Sequence, residues 1–133
     1  MDAKHRVTIP SRWRDSEQDQ FYLMPSPTNN YLYALPPAEF QKINENLNND
    51  PRISAADRRQ FARYYFSRAQ HCVIDRQGRL LLSDEFCRLA GLESDVLLVG
   101  TFDRFEVWAP ERWDRATQDE ASTFQQVANL IGA

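Results

Sequence analysis

A shift of 73 residues lays one half of the chain on the other, and this internal repeat constrains the architecture more than any other feature. Asp2 falls on Asp75, Arg6 on Arg79, Val7 on Leu80 and Ile9 on Leu82. Further on, Trp13 falls on Phe86, Leu32 on Phe105, Leu35 on Trp108, Pro37 on Pro110 and Phe40 on Trp113. Few of these are identities, but the residue classes agree. Phe21-Tyr22-Leu23-Met24 matches Val96-Leu97-Leu98-Val99 once a small gap is allowed. The expected organisation is a first unit over 1–43, a connecting loop and helix over 44–71, a second unit over 72–116 and a C-terminal helix over 117–133. A chain of 133 residues suffices for one core shared by two such halves.

Each unit reads as strand, short helix or turn, strand, hairpin, strand. In the second, Cys72-Val73-Ile74 runs into Asp75-Arg76-Gln77-Gly78, then Arg79-Leu80-Leu81-Leu82. Asp caps such a turn with its carboxylate, and Gly78 supplies positive φ. Ser83 before Asp84 and Glu85 is an N-cap with acids in the first turn, and Gly91 ends the short helix. Tyr31–Leu35 is a strand, and Pro36-Pro37 opens a helix to about Leu47. The Asn-rich stretch from Asn44 to Pro51 reads as a helix end and loop. Ser54 with Asp57 three residues on predicts an amphipathic helix over 54–68, whose Phe61, Tyr64 and Tyr65 are core or packing residues. The final helix carries Phe124, Val127, Ala128 and Ile131 on one face, suited to covering the domain or touching a neighbouring subunit.

The net charge of -3 excludes a uniformly basic coat, yet it conceals strong segregation. Residues 1–14 carry +3, 15–51 carry -5, 52–68 carry +4 and 69–133 carry -5. No apolar run approaches the roughly 20 residues of a membrane span, and no apolar leader follows Met1, so the expectation is a cytoplasmic protein with no membrane partner. Cys72 and Cys87 read as reduced, packed thiols. No metal-ligand spacing, phosphate loop or nucleophile motif is present, so no enzyme, cofactor, metal or small-molecule substrate is expected.

The chemistry that remains is the twice-used D-x-x-x-R turn, Asp2-Ala3-Lys4-His5-Arg6 and Asp75-Arg76-Gln77-Gly78-Arg79. Asp2, Asp75, Gly78 and Arg79 read as turn-forming residues. Arg6 stands apart in this reading, because Lys4, His5, Arg12 and Arg14 surround it with cations suited to phosphates and guanine edges.

Asp2–Pro10 with Trp13-Arg14 resembles the first signature of the MraZ family, and Asp75–Leu82 with Arg104–Trp108 and Pro110–Trp113 resembles the second. The resemblance spans nearly the whole chain. It implies an α+β fold in which two AbrB-like units form a pseudo-two-fold β-barrel flanked by helices. It further implies a nucleoid-associated transcriptional regulator of the bacterial division and cell wall gene cluster. Such a protein binds double-stranded DNA at short promoter direct repeats as a homo-oligomeric ring. On that resemblance Lys4 and Arg6 are the DNA-contacting residues, with Arg12 and Arg14 as backbone contacts. The alternative is a structural or protein-interaction module of the same fold without DNA binding.

Overall fold

The computed structural model describes residues 1–14 and 19–133. The fold is α+β, with seven strands and five α-helices among the described residues. Strand β1 (Arg6–Thr8) leads into a short 3-10 turn (Ser11–Trp13), β2 (Gln20–Pro25) and β3 (Leu32–Leu35). Helices α1 (Pro37–Asn49) and α2 (Ala55–Arg68) follow. The second half runs β4 (Gln70–Val73), β5 (Arg79–Leu81), α3 (Asp84–Ala90), β6 (Leu97–Gly100) and β7 (Phe105–Trp108). Helices α4 (Pro110–Thr117) and α5 (Glu120–Ile131) complete the chain.

The strands form two antiparallel sheets, β1-β5 and β4-β2-β3-β7-β6. Their registers carry the repeat into three dimensions. β1 pairs with β5 through Arg6↔Leu81, Val7↔Leu80 and Thr8↔Arg79. β3 pairs with β7 through Leu32↔Val107, Tyr33↔Glu106 and Ala34↔Phe105. The 73-residue shift maps each ladder onto itself, so a pseudo-two-fold axis passes through Val7/Leu80 and Tyr33/Glu106. Tyr22 opposes Leu35 where Leu97 opposes Trp108, which makes β2 and β6 mates at a shift of 75. The small gap anticipated in the middle strand is thus two residues.

Alternation explains the core. Val7 and Leu80 point inward while their strand neighbours lie outside. Ile9, Leu23, Leu32, Leu80, Leu82 and Val107 are almost wholly buried, each worth about 1.5–3 kcal/mol of transfer free energy. A smaller cluster of Met24, Tyr33 and Leu35 packs against Phe40, Ile43 and Tyr65 from α1 and α2. There the Tyr33 and Tyr65 hydroxyls are 2.9 Å apart. Of the α2 aromatics assigned to packing, Tyr65 is half-buried, whereas Phe61 and Tyr64 are exposed.

Helix α2 starts where Ser54 accepts the Asp57 amide, and α3 starts where Ser83 accepts that of Phe86. Helix α1 runs to Asn49, beyond the loop expected from Asn44. Burial of Leu47 and an Asn48–Asn44 side-chain bond outweigh the weak helix propensity of Asn. Arg58 then closes the helix by donating to the carbonyls of Leu47 and Asp50. The expected C-terminal helix is α5, preceded by the short α4 that Pro110 opens, and on α5 only Ala128 is buried.

β4 covers the outer edge of β2, and Ile74 N–H extends that ladder by donating to Asp19 O at 2.7 Å. On β6, the mate of β2, no strand lies along the outer edge among the described residues. There the Met1 ammonium donates to Ser94 O at 2.7 Å, the counterpart of the Ile74–Asp19 bond.

Candidate nucleic-acid interface

The two D-x-x-x-R turns are built alike. Asp2 Oδ1 accepts the amides of Lys4 and Arg6, both at 2.9 Å, and Oδ2 accepts Arg6 Nε at 2.7 Å. Asp75 does the same for the amides of Gln77 and Arg79 and for Arg79 Nε, all at 2.9 Å. The residue before each Arg is left-handed, His5 at φ 60° and Gly78 at φ 79°. Glycine adopts this conformation freely, and His tolerates it better than most side chains do.

Three donors on one carboxylate favour its charged form. The Arg6 amide first, then its guanidinium, holds Asp2 below the ordinary carboxylate range, and Arg79 acts likewise on Asp75. Each turn is clasped by the opposite half of the chain. Ile9 N–H donates to Gly78 O and Leu82 N–H to His5 O, both at 2.9 Å. Arg79 Nη1 also lies 3.9 Å from Asp2 Oδ2. The turns are therefore neighbours across the pseudo-two-fold axis.

The contrast drawn in the sequence between Arg6 and Arg79 does not extend to their bonding, because each is held by its own Asp in the same way. Both are half-buried, and beyond Asp2 the Arg6 terminal nitrogens have no hydrogen-bond partner among the described residues. Lys4 is exposed, with no ion pair among the described residues. Arg76 matches it in the second turn, also exposed and with no ion pair among the described residues. Sequence reasoning passed over Arg76, although it occupies the loop that corresponds to that of Lys4.

Arg14, of the first half, reaches across to the second turn. A Cβ at Gly78 would sit 2.5 Å from Arg14 Nη1, so the guanidinium packs on the second turn. Arg12 is elsewhere. It is exposed, with its guanidinium 5.7 Å above its own Trp13 ring, at a cleft shared with Phe102 and Arg104. The structure thus gathers Lys4, Arg6, Arg14, Arg76 and Arg79 about the two turns and leaves Arg12 aside. An acid also faces the first turn: Asp84 lies 2.8 Å from His5 Nδ1.

No cluster of metal-ligating side chains occurs among the described residues. Both cysteines are buried thiols, and burial pushes Cys72 up to about 11. No helix is long and apolar enough to cross a membrane among the described residues.

Comparison with known proteins identifies relatives of this chain. A family described as "MraZ protein, putative antitoxin-like" matches residues 65–133. A "Transcriptional regulator MraZ" of Desulforamulus reducens is 34% identical over 131 residues, covering 98% of this chain and 91% of the relative. Proteins of the same description from Natranaerobius thermophilus and Heliobacterium modesticaldum are 31% and 34% identical, each over 98% of this chain and 90% of the relative.

Proposed function

Because the chain belongs to the MraZ family of transcriptional regulators, we propose that it binds double-stranded DNA through the paired D-x-x-x-R turns. The observation that carries this reading is a pair of exposed cations, Lys4 and Arg76, with no ion pair among the described residues, on two neighbouring turns. In each turn the Asp fixes the Arg through Nε; the terminal nitrogens of Arg6 are left available, whereas Arg79 Nη1 lies 3.9 Å from Asp2 Oδ2. A guanidinium so oriented suits bidentate recognition of a guanine edge or a phosphate. Lys4, Arg76 and Arg14 meet the sugar-phosphate backbone and set the register. Ordering cost is low, because the turns are already held by six bonds to Asp2 and Asp75.

The target in this reading is the set of short direct repeats upstream of the bacterial division and cell wall gene cluster. A homo-oligomeric ring, nucleoid-associated in the cytoplasm, binds them. Few cations per chain give modest affinity at physiological salt, and linkage of several chains raises it.

The test is fluorescence anisotropy of the protein on its own upstream DNA across a salt series, with a scrambled duplex as control. Binding is expected to prefer the repeat sequence and to weaken steeply with salt. Lys4→Ala and Arg76→Ala should each lower the slope of log K against log salt by about 0.9, the value for one lost phosphate contact. A folded double variant that binds like wild type overturns the proposed surface. A folded oligomer that ignores DNA favours the interaction-module reading.

A further inference from the structure

His5 holds a left-handed conformation, φ 60°, that glycine adopts without strain, and its mate Gly78 shows that the turn closes without a side chain there. The backbone bonds of the two turns are the same. His5 N–H donates to Asp2 O at 3.1 Å as Gly78 N–H does to Asp75 O at 2.9 Å, and each carbonyl accepts from the opposite half. The imidazole is therefore not needed to close the turn. Burial does not account for it either, since 36% of the side chain is exposed. A side chain kept in a strained backbone position directs attention to function. We infer that His5 reads a base edge: its Nε2 accepts from the exocyclic amino group of an adenine or cytosine in the major groove of the DNA. This rests on the DNA-binding reading above and names a determinant of its sequence preference.

Two observations carry the assignment. The first is the neighbour of the ring. Asp84 Oδ1 lies 2.8 Å from His5 Nδ1. A carboxylate at that distance repels a lone pair and favours a proton on Nδ1, which leaves Nε2 of the neutral ring as an acceptor. Asp84 is thus a positioning residue that acts through His5. The second observation is scarcity. Lys4, Arg6, Arg14, Arg76 and Arg79, gathered about the turns, carry donors only. Both Asp2 oxygens already accept from N–H groups of Lys4 and Arg6. His5 therefore holds the side-chain acceptor that remains in the first turn. Donors match the guanine and thymine edges, whereas the amino groups of adenine and cytosine need an acceptor.

The second turn has an acceptor of its own in the amide of Gln77. That residue is exposed and stands at the place of Lys4, not of His5. The two turns hence present different patterns to the bases, and the half-sites they meet are not interchangeable.

The test is competition anisotropy with duplexes of the chain's own upstream DNA, each base pair replaced in turn. Wild type, His5→Gly and Asp84→Asn are compared as full-length chains. Melting temperatures near that of wild type show that the variants are folded. Wild type is expected to favour adenine or cytosine at one pair. His5→Gly should lose about fivefold of that preference, the worth of one hydrogen bond, and keep its preferences at the other pairs. A duplex lacking only the amino group at that pair should weaken wild type by the same factor and leave His5→Gly unmoved. Asp84→Asn, whose amide also donates to Nδ1, should flatten the same pair, and full wild-type preference in this variant overturns the role given to Asp84. A folded His5→Gly with wild-type preferences at every pair overturns the inference and leaves DNA binding standing. A loss spread evenly over all pairs marks His5 as a structural or phosphate contact and overturns it too. A wild type that binds no duplex overturns both readings.

Discussion

Replacement of Gly78 by Ala tests the turn that the proposed interface depends on. Gly78 sits at φ 79°, where an L-residue costs about 1–2 kcal/mol. Its new Cβ would lie 2.5 Å from Arg14 Nη1 and 2.7 Å from Arg14 Cζ. The Arg14 head group is the end of a flexible side chain and swings away, losing its packing on the turn. Against these costs, Ala lowers the freedom of the unfolded chain by about 0.4–1 kcal/mol. The net loss is about 1 kcal/mol, which for a domain of this size lowers the melting temperature by about 4 °C. Thermal unfolding followed by circular dichroism reads this directly, with Gln77→Ala in the same turn as a near-neutral control. The mate position gives a contrasting case. His5→Gly relieves a left-handed side chain but gains unfolded-state freedom and loses the contact with Asp84, so it should melt close to wild type. A Gly78→Ala protein that melts at or above wild type refutes the argument.

Three further outcomes follow from the same coordinates. Asp2 and Asp75 are held below the ordinary carboxylate pKa, so their stabilisation is present above that pKa and is lost as pH falls through the folded value. The melting temperature of wild type should therefore fall more steeply below about pH 4 than that of Asp75→Asn, and parallel curves would refute the linkage. Cys72, raised to about 11 by burial, and Cys87, raised by burial and then by Asp84, should alkylate slowly at pH 8 in the folded protein and quickly in urea. Equal rates in both states would contradict their packing. Tyr65→Phe removes the bond to the buried Tyr33 hydroxyl and should cost about 1 kcal/mol in chemical denaturation, a prediction that fails if the midpoint is unmoved.

Much of the scaffold was legible because its signals are local or periodic. The turns announce themselves by an Asp and an Arg four residues apart, and the helix starts by Ser54 and Ser83. The strands appear as matched aliphatic runs, and even the two-residue slip of β2 against β6 shows in the alignment of Phe21–Met24 with Val96–Val99. What was missed depends on packing between distant segments. Arg58 ends α1 only because α2 folds back beside it. Arg14 reaches Gly78 across 64 positions of sequence, which no spacing rule encodes. The distinction between Arg6 and Arg79 was drawn from neighbouring charges, whereas their bonding is decided within each turn. Arg76 was legible too, because a cation beside the capping Asp is as local a signal in the second loop as in the first.

Joining the two halves in one polypeptide has an effect beyond assembly of the core. In a dimer of identical short chains, every residue is constrained twice, and the fold dissolves on dilution. Here folding is unimolecular, and each side of the axis is free to specialise. One turn tolerates His5 where the other keeps Gly78, and the exposed cation stands at Lys4 in one loop and at Arg76, one place earlier, in the other. The outer hairpins have diverged as well. Arg112 donates to Asn29 O in one, whereas Phe102, at the corresponding left-handed position of the other, is fully exposed. A molecule symmetric in its backbone but not in its side chains has a front and a back. On any partner that itself has a direction, its two orientations are no longer equivalent.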